Sequence, residues 1–108
     1  MGASEPGESG GWLTVTSTAD ADVLWVVIRG EVDLSTHEEL RLSLDRLKFG
    51  DARLVFLDVG QLTFCDGVGC HILERFRKAV AAAGYDVRFI HARPLIRRVM
   101  ALIAEASS

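Results

Sequence analysis

The chain contains 108 residues, of which 49% are hydrophobic and 25% are charged, a composition typical of one small globular domain. A formal net charge of −3 gives no general attraction for a phosphate backbone, so we expect no direct binding to nucleic acid. No apolar run approaches the roughly 20 residues that span a bilayer, and the N-terminus lacks the features of a signal peptide, so we expect a cytoplasmic protein without membrane insertion.

The predicted elements begin after a tail. Residues 1–11 are rich in Gly, Ser and Glu and show no hydrophobic periodicity, which predicts a flexible N-terminal segment. The folded domain is predicted at residues 12–104, with a short C-terminal tail at 105–108. Two strands come first, at residues 12–16 and 23–30, with a turn between them. The second strand is a nearly continuous β-branched and aromatic run, as expected for a strand covered on both faces.

A helix is predicted next. It starts at Ser35 or Thr36, because each is followed three residues later by a glutamate and could form a capping box. Gly50 is expected to end the helix, and leucines at positions i, i+4 and i+7 form its buried stripe. These leucines are Leu40, Leu44 and Leu47. A third strand is predicted at residues 53–59.

A second helix is predicted to follow Asp66, with one apolar face and an outward-facing ion pair of Glu74 with Lys78. Its apolar face comprises Ile72, Phe76, Ala79 and Ala83, with Leu73 and Val80 beside it. A fourth strand is predicted at residues 87–90. Pro94 suits the first turn of a last helix. That helix carries Leu95, Val99, Leu102 and Ile103.

The predicted order of elements is ββαβαβα, which defines an α/β fold. Strands that alternate with helices favour parallel pairing, whereas the tight link between the first two strands favours an antiparallel pair. We therefore predict a mixed, mainly parallel sheet of four strands with the helices mostly on one face.

Three segments of the chain resemble a known family. They are FCDGVGCHIL at residues 64–73, RGEVDLSTHEEL at residues 29–40 and AGY at residues 83–85. Together with the element order, they resemble the STAS domain family, in particular the anti-sigma factor antagonists of bacteria. The resemblance covers residues 12–103 and implies a single STAS-like domain.

The resemblance also implies a function. In antagonists of this type the aspartate is usually followed by a serine or threonine that a partner kinase phosphorylates, in the pattern D-S-S/T-G-L. The matching segment here runs from Asp66 to Cys70 and reads DGVGC, so the usual hydroxyl is absent at Gly67. The implied protein is not an enzyme and needs no cofactor. It binds an anti-sigma factor of the serine-kinase type, releases a sigma factor, and is not switched by phosphorylation at Gly67.

The resemblance implies a set of partner-binding residues at this turn and at the preceding one. The set is Asp33, Asp66, Gly67, Val68, Gly69, Cys70 and His71. A structural role is an alternative for both aspartates, because Asp66 lies at the positive end of a helix dipole and Asp33 could fix a turn. Thr63 is a candidate replacement phosphoacceptor, whereas capping accounts for Ser35 and Thr36.

Cys65 and Cys70 lie on either side of the turn, and a redox pair is one interpretation of them. Cys70 falls in the first helical turn, where the dipole can lower a thiol pKa. A cytoplasmic setting normally keeps thiols reduced, so two reduced thiols are the favoured interpretation. Together with His71 the cysteines match no usual zinc spacing, and His37 and His91 are scattered, so no metal site is predicted.

Three other functions stay open from the sequence. The turn around Gly67 could have decayed so that only the fold survives. The chain could be a STAS subunit that docks on the ATPase of a transporter, or a STAS module that senses a small ligand, because fold alone does not settle function.

Overall fold

Residues 12–107, which the computed structural model describes, form four strands and three helices in the predicted order. The strands are β1 (Leu13–Asp20), β2 (Val23–Val32), β3 (Leu54–Cys65) and β4 (Asp86–Ile90). The helices are α1 (His37–Asp45), α2 (Gly67–Ala82) and α3 (Pro94–Ser107). The N-terminal tail predicted at residues 1–11 lies outside the described residues.

The four strands form one mixed sheet in the spatial order β1-β2-β3-β4. β1 pairs with β2 in antiparallel orientation, and β2 pairs with β3 and β3 with β4 in parallel orientation. The predicted α/β fold with a mainly parallel four-stranded sheet is therefore confirmed. Because β2 and β3 are parallel, both strands end at the same edge of the sheet, where Val32 pairs with Cys65.

Side-chain burial alternates along the central strand β2. Leu24, Val26 and Ile28 are almost fully buried, whereas Trp25 between them is 39% exposed. One face of the sheet therefore carries the core beneath the helices, and the other face is more open. The prediction that β2 is covered on both faces is thus wrong for its second face. On the more open face, Trp25 packs edge-on against Phe56, with ring centroids 5.0 Å apart.

Several element boundaries differ from the sequence-based prediction. β3 continues to Cys65 rather than ending near residue 59, because bulges in its pairing with β2 keep backbone partners opposite its second half. β1 continues to Asp20, so the turn is restricted to residues 21–22. α1 ends at Asp45, before Gly50. α3 runs to Ser107, so residues 105–107 are helical instead of forming part of a tail.

The buried faces of the helices are partly those predicted. In α1, Leu40 and Leu44 are buried as expected. The buried side of α2 is rotated from the predicted one. It comprises Gly69, Cys70, Leu73, Glu74 and Val80, whereas Ile72 and Phe76 are half-buried and Ala79 and Ala83 are exposed. In α3, Ile96 and Met100 are the buried residues, and Leu95 and Leu102 are exposed.

Glu74 is the residue of α2 whose burial differs most clearly from the sequence-based prediction. It was expected on the solvent side, paired with Lys78, but only 3% of its surface is exposed. Its carboxylate accepts hydrogen bonds from the Arg77 guanidinium, three residues later, and this contact raises the pKa of Arg77. The carboxylate is thus buried with its charge partnered, as buried charges require.

None of the helices in the described part of the chain has both the length and the apolar character needed to cross a membrane.

Candidate functional site

The candidate site lies where β2 and β3 end side by side. The Asp66 N–H donates to the carbonyl oxygen of Val32 at 3.0 Å, which continues the pairing of the two strands by one residue. Asp33 and Asp66 therefore follow directly on paired residues at the same edge of the sheet. Residues 66–71, with the start of α2, are called the α2 corner below.

Asp66 organises the corner. It is the N-cap of α2, with extended backbone angles, and its carboxylate accepts a hydrogen bond from the Gly69 N–H at 2.7 Å. This contact satisfies one of the amide donors that a helix start leaves without a partner. The His37 ring donates from Nε2 to the same carboxylate, 2.9 Å from each oxygen. Asp66 thus joins the start of α2 to the start of α1.

His37 is a site residue that sequence reasoning missed. It is 29 positions away from Asp66 and was considered only as a possible metal ligand. Its side chain is 14% exposed, and that of Asp66 is 31% exposed, so the pair is accessible mainly through the carboxylate. One sequence signal was present: His37 directly follows the predicted cap residues, at a helix start that the topology brings to this edge.

Asp33 fixes the turn that leads into α1. Its Oδ1 accepts hydrogen bonds from the Ser35 N–H at 2.9 Å and from the Ser35 hydroxyl at 2.6 Å. Thr36 is the N-cap residue of α1 but makes no capping bond with its side chain. Its buried hydroxyl instead accepts from the Asp33 N–H at 3.0 Å and donates to the carbonyl oxygen of Glu31 at 2.8 Å. These contacts support the structural alternative for Asp33.

The two glycines of the corner differ in their surroundings. A Cβ added to Gly69 would lie 2.3 Å from Val32 Cγ1 and 2.9 Å from Cys65 Sγ, so only glycine fits there without displacement of its neighbours. A Cβ added to Gly67 would meet nothing within 4 Å. Position 67, where the resemblance leads one to expect a hydroxyl-bearing residue, is therefore open to solvent and able to hold a side chain.

Apolar side chains at the same edge are exposed to solvent. Leu34 is 86% exposed, Val68 56% and Phe64 51%. Leu34 follows Asp33, Phe64 precedes Asp66 by two residues, and Val68 lies in the first turn of α2. We call these three residues the apolar rim. Exposed apolar side chains beside polar ones are typical of a protein interaction site.

A groove between α1 and α2 continues from the corner. Its volume is about 350 Å³, and Val68, His71, Ile72 and Phe76 are among its lining residues. Arg41 of α1 and Arg75 of α2 also line it. His71 is exposed. The groove adds concave, partly apolar surface to the apolar rim.

The two cysteines lie behind the corner as free thiols. Their Sγ atoms are 3.6 Å apart, with Cys70 fully buried and Cys65 half-buried. The hydrogen bond between the thiols, burial and the nearby Asp66 charge all raise the pKa of Cys65. Thr63, the candidate phosphoacceptor, is exposed and donates from Oγ1 to the carbonyl oxygen of Gly30 at 3.2 Å.

The structure thus places all seven predicted partner-binding residues at one edge, but it does not expose them equally. Gly67, Val68 and His71 are exposed, Asp33 and Asp66 are half-buried, and Gly69 and Cys70 are buried. Over residues 12–107, no three His, Cys, Asp or Glu side chains are grouped as a metal ligand set. Exposed polar and apolar groups thus surround the buried residues of the corner.

The fold and the corner together define the class of protein. Residues 14–106 match the family model of the STAS domain, so the chain belongs to the STAS domain family. No match was found among curated proteins.

Solved structures of other proteins share the fold. An anti-sigma factor antagonist from Mycobacterium paratuberculosis is similar with a TM-score of 0.73 and 19% identity, over 89% of this chain and 81% of that one. An antisigma-factor antagonist STAS domain from Rhodobacter sphaeroides gives a TM-score of 0.59 at 16% identity, over 75% and 86%. The Bacillus cell fate determinant SpoIIAA, in its phosphorylated form, gives 0.56 at 22% identity, over 87% and 86%.

Proposed function

We propose that this chain is an anti-sigma factor antagonist of the bacterial cytoplasm. It binds an anti-sigma factor of the serine-kinase type through the α2 corner and the apolar rim, and it thereby releases a sigma factor. It acts by occupying a surface of its partner, without catalysis. Membership of the STAS domain family and the shared fold of several anti-sigma factor antagonists support this function.

The observation that carries the proposal is the environment of Gly67. This residue is exposed, begins α2, and lies between the Asp66 cap and Val68 of the apolar rim. In a complex at this surface, a phosphate on residue 67 would add nearly two negative charges and would have to be desolvated. Glycine cannot accept that phosphate. The complex is therefore not reversed by phosphorylation at this position, and the antagonist stays active in the presence of ATP.

Restoring the hydroxyl tests this proposal. Candidate anti-sigma kinases from the same genome are titrated with the native protein and with Gly67→Ser, with and without Mg-ATP, and both affinity and phosphate incorporation are measured. We expect the native protein to bind equally well in both conditions and to take up no phosphate. Gly67→Ser should be phosphorylated and should then bind about tenfold more weakly or worse, because unfavourable charge at an interface costs more than about 1.4 kcal/mol.

Gly67→Ala is the matched control, because it adds the same Cβ to the same open position without a hydroxyl. Its binding should not respond to ATP. Failure of the native protein to bind any candidate kinase contradicts the proposed function. Phosphate uptake by the native protein that Thr63→Val abolishes would keep the binding function but contradict constitutive activity.

A further inference from the structure

We propose that Cys65 and Cys70 form a modification site, an oxidisable thiol pair that closes into an intrachain disulfide and restrains the α2 corner. The two Sγ atoms are 3.6 Å apart in the reduced chain. A disulfide requires about 2.05 Å, so the sulfur atoms have to approach by about 1.5 Å. The chain contains two cysteines, so no third thiol of the same chain competes for the bond.

The position of the pair gives the bond a structural consequence. Cys65 is the last residue of β3, and Cys70 lies in the first turns of α2. The bond would close a ring around residues 66–69, which include the N-cap Asp66 and the open position Gly67. The segment that presents the corner to solvent would thus be tied at both ends.

Gly69 and Asp66 are neighbours of the Cys65 sulfur. A Cβ on Gly69 would lie 2.9 Å from Cys65 Sγ and 3.1 Å from Asp66 Oδ1, so little space separates Gly69 from either group. We expect a shift of the Cys65 sulfur to displace Gly69 and the Asp66 carboxylate as well. The hydrogen bonds from the Gly69 N–H and the His37 ring to Asp66 report that shift.

Hydrogen peroxide is the class of oxidant that completes the chemistry. One thiol of the pair attacks one peroxide oxygen: Cys65 is the more exposed of the two, whereas the hydrogen bond between the thiols lowers the pKa of Cys70. The O–O bond breaks, water forms, and that cysteine carries a sulfenic acid. The sulfur of the other cysteine then attacks it, the S–O bond breaks, and a second water leaves. Two thiols lose two electrons and two protons in total, and the peroxide is reduced to water. A dithiol reductant reverses the bond by exchange.

Mass spectrometry of the full chain tests the site. The reduced protein is exposed to hydrogen peroxide, quenched with N-ethylmaleimide and measured intact. We expect a species that has lost two hydrogen atoms and takes up no maleimide, with a Cys65–Cys70 linkage in the peptide map and full reversal by dithiothreitol. Alkylation of both thiols after oxidation, a disulfide-linked dimer, or sulfinic acid at Cys65 without a linkage would each overturn the proposal.

Two variants test the sulfenic acid step. In Cys70→Ala and in Cys65→Ser no intrachain disulfide can form, so the remaining cysteine of at least one variant should accumulate sulfenic acid that dimedone labels. If a variant fails to fold, the peptide map of the native protein still decides whether the bond forms. Absence of dimedone labelling in both variants would contradict the sulfenic acid route.

NMR spectroscopy tests whether the disulfide restrains the α2 corner. In amide NMR spectra of the native protein, oxidation should shift the Gly69 and His37 signals more than that of Gly84, which lies beyond the C-terminal end of α2. Spectra without such shifts would contradict the proposed restraint of the α2 corner by the disulfide. An effect of oxidation on partner affinity would rest on the proposed function, but mass and NMR measurements need no partner, so either idea can fail without the other.

Discussion

Two aspartates, one at the start of α2 and one in β3, make the same kind of contact. Asp66 accepts hydrogen bonds from the Gly69 N–H at 2.7 Å and from the His37 ring at 2.9 Å. Asp58 in β3 accepts hydrogen bonds from the Gly60 N–H at 3.0 Å and from the His91 ring at 3.2 Å. In both regions the glycine comes so close to its neighbours that a Cβ would clash.

The two regions differ in what surrounds the contacts. The His37 side chain is 14% exposed, and Gly69 packs on the core residue Val32 and on Cys65. The His91 side chain is 63% exposed. His91 is the first residue after β4, and its backbone has a left-handed conformation. The corner is therefore held by the core, whereas the other site is held by an exposed loop residue. Similar hydrogen bonds should contribute more to stability where the surroundings cannot adjust.

The largest expected effect comes from filling the space at the glycines. Gly69→Ala forces Val32 or α2 to move and should lower the free energy of unfolding by about 2 kcal/mol, within the range for overpacked cores. Gly60→Ala should cost about 1 kcal/mol, because its Cβ would meet the His91 Cβ, and His91 lies in an exposed loop that can shift as a whole. Urea denaturation measures both. Gly67→Ala, at the open position, is the control and should stay within about 0.5 kcal/mol of the native protein. Equal losses of unfolding free energy in Gly60→Ala and Gly69→Ala would contradict the proposed difference between the two regions.

Removing the carboxylates should have a smaller effect. Asp66→Ala leaves the Gly69 N–H without its cap and should cost about 1 to 2 kcal/mol, as lost helix caps do. Asp58→Ala removes a contact with an exposed histidine and should cost about 1 kcal/mol or less. Thermal and urea unfolding measure the difference. Asp66→Asn keeps a capping oxygen and should recover most of the loss, and a cost equal to that of Asp66→Ala would show that the charge matters more than the cap.

The smallest expected effect is the pH dependence due to Asp58. Burial acts to raise the pKa of Asp58, but hydrogen bonds from the Gly60 N–H and His91 outweigh it, so the pKa is lowered. The contribution of this carboxylate to stability is thus present above its unfolded pKa of about 4 and is lost as the pH falls through the folded value. The stability difference between the native protein and Asp58→Asn should be larger at pH 6 than at pH 3. A constant difference would contradict the assignment.

The sequence predicts the fold well because several local signals agree. The alternation of apolar strands with amphipathic helices, Pro94 at a helix start and the segments around Asp33 and Asp66 all favour the same order of elements. The second half of β3 was missed because Gly60, Gln61 and Thr63 are not typical of a strand. Its pairing depends on bulges opposite β2, which depend on three-dimensional contacts.

The candidate site was only partly predictable. The resemblance supplied Asp33 and Asp66, and the parallel pairing of two strands brought them to one edge. The contact between His37 and Asp66 joins two helix starts across 29 positions, and no local pattern encodes it. Glu74 shows the same limit, because helical periodicity cannot tell which polar residue a neighbouring element will cover.

Because His37 and Asp66 come from different parts of the chain, a ligand bound to both at the corner would stabilise the folded state of the whole domain. Two distant parts of the chain meet there only after the sheet has formed, so a ligand that requires both recognises the native state alone. By mass action, such a ligand at 100 times its dissociation constant stabilises the fold by about 2.7 kcal/mol. The melting temperature of the domain then serves as a direct indicator of occupancy, and an isolated peptide of residues 64–73 would compete poorly for the same ligand.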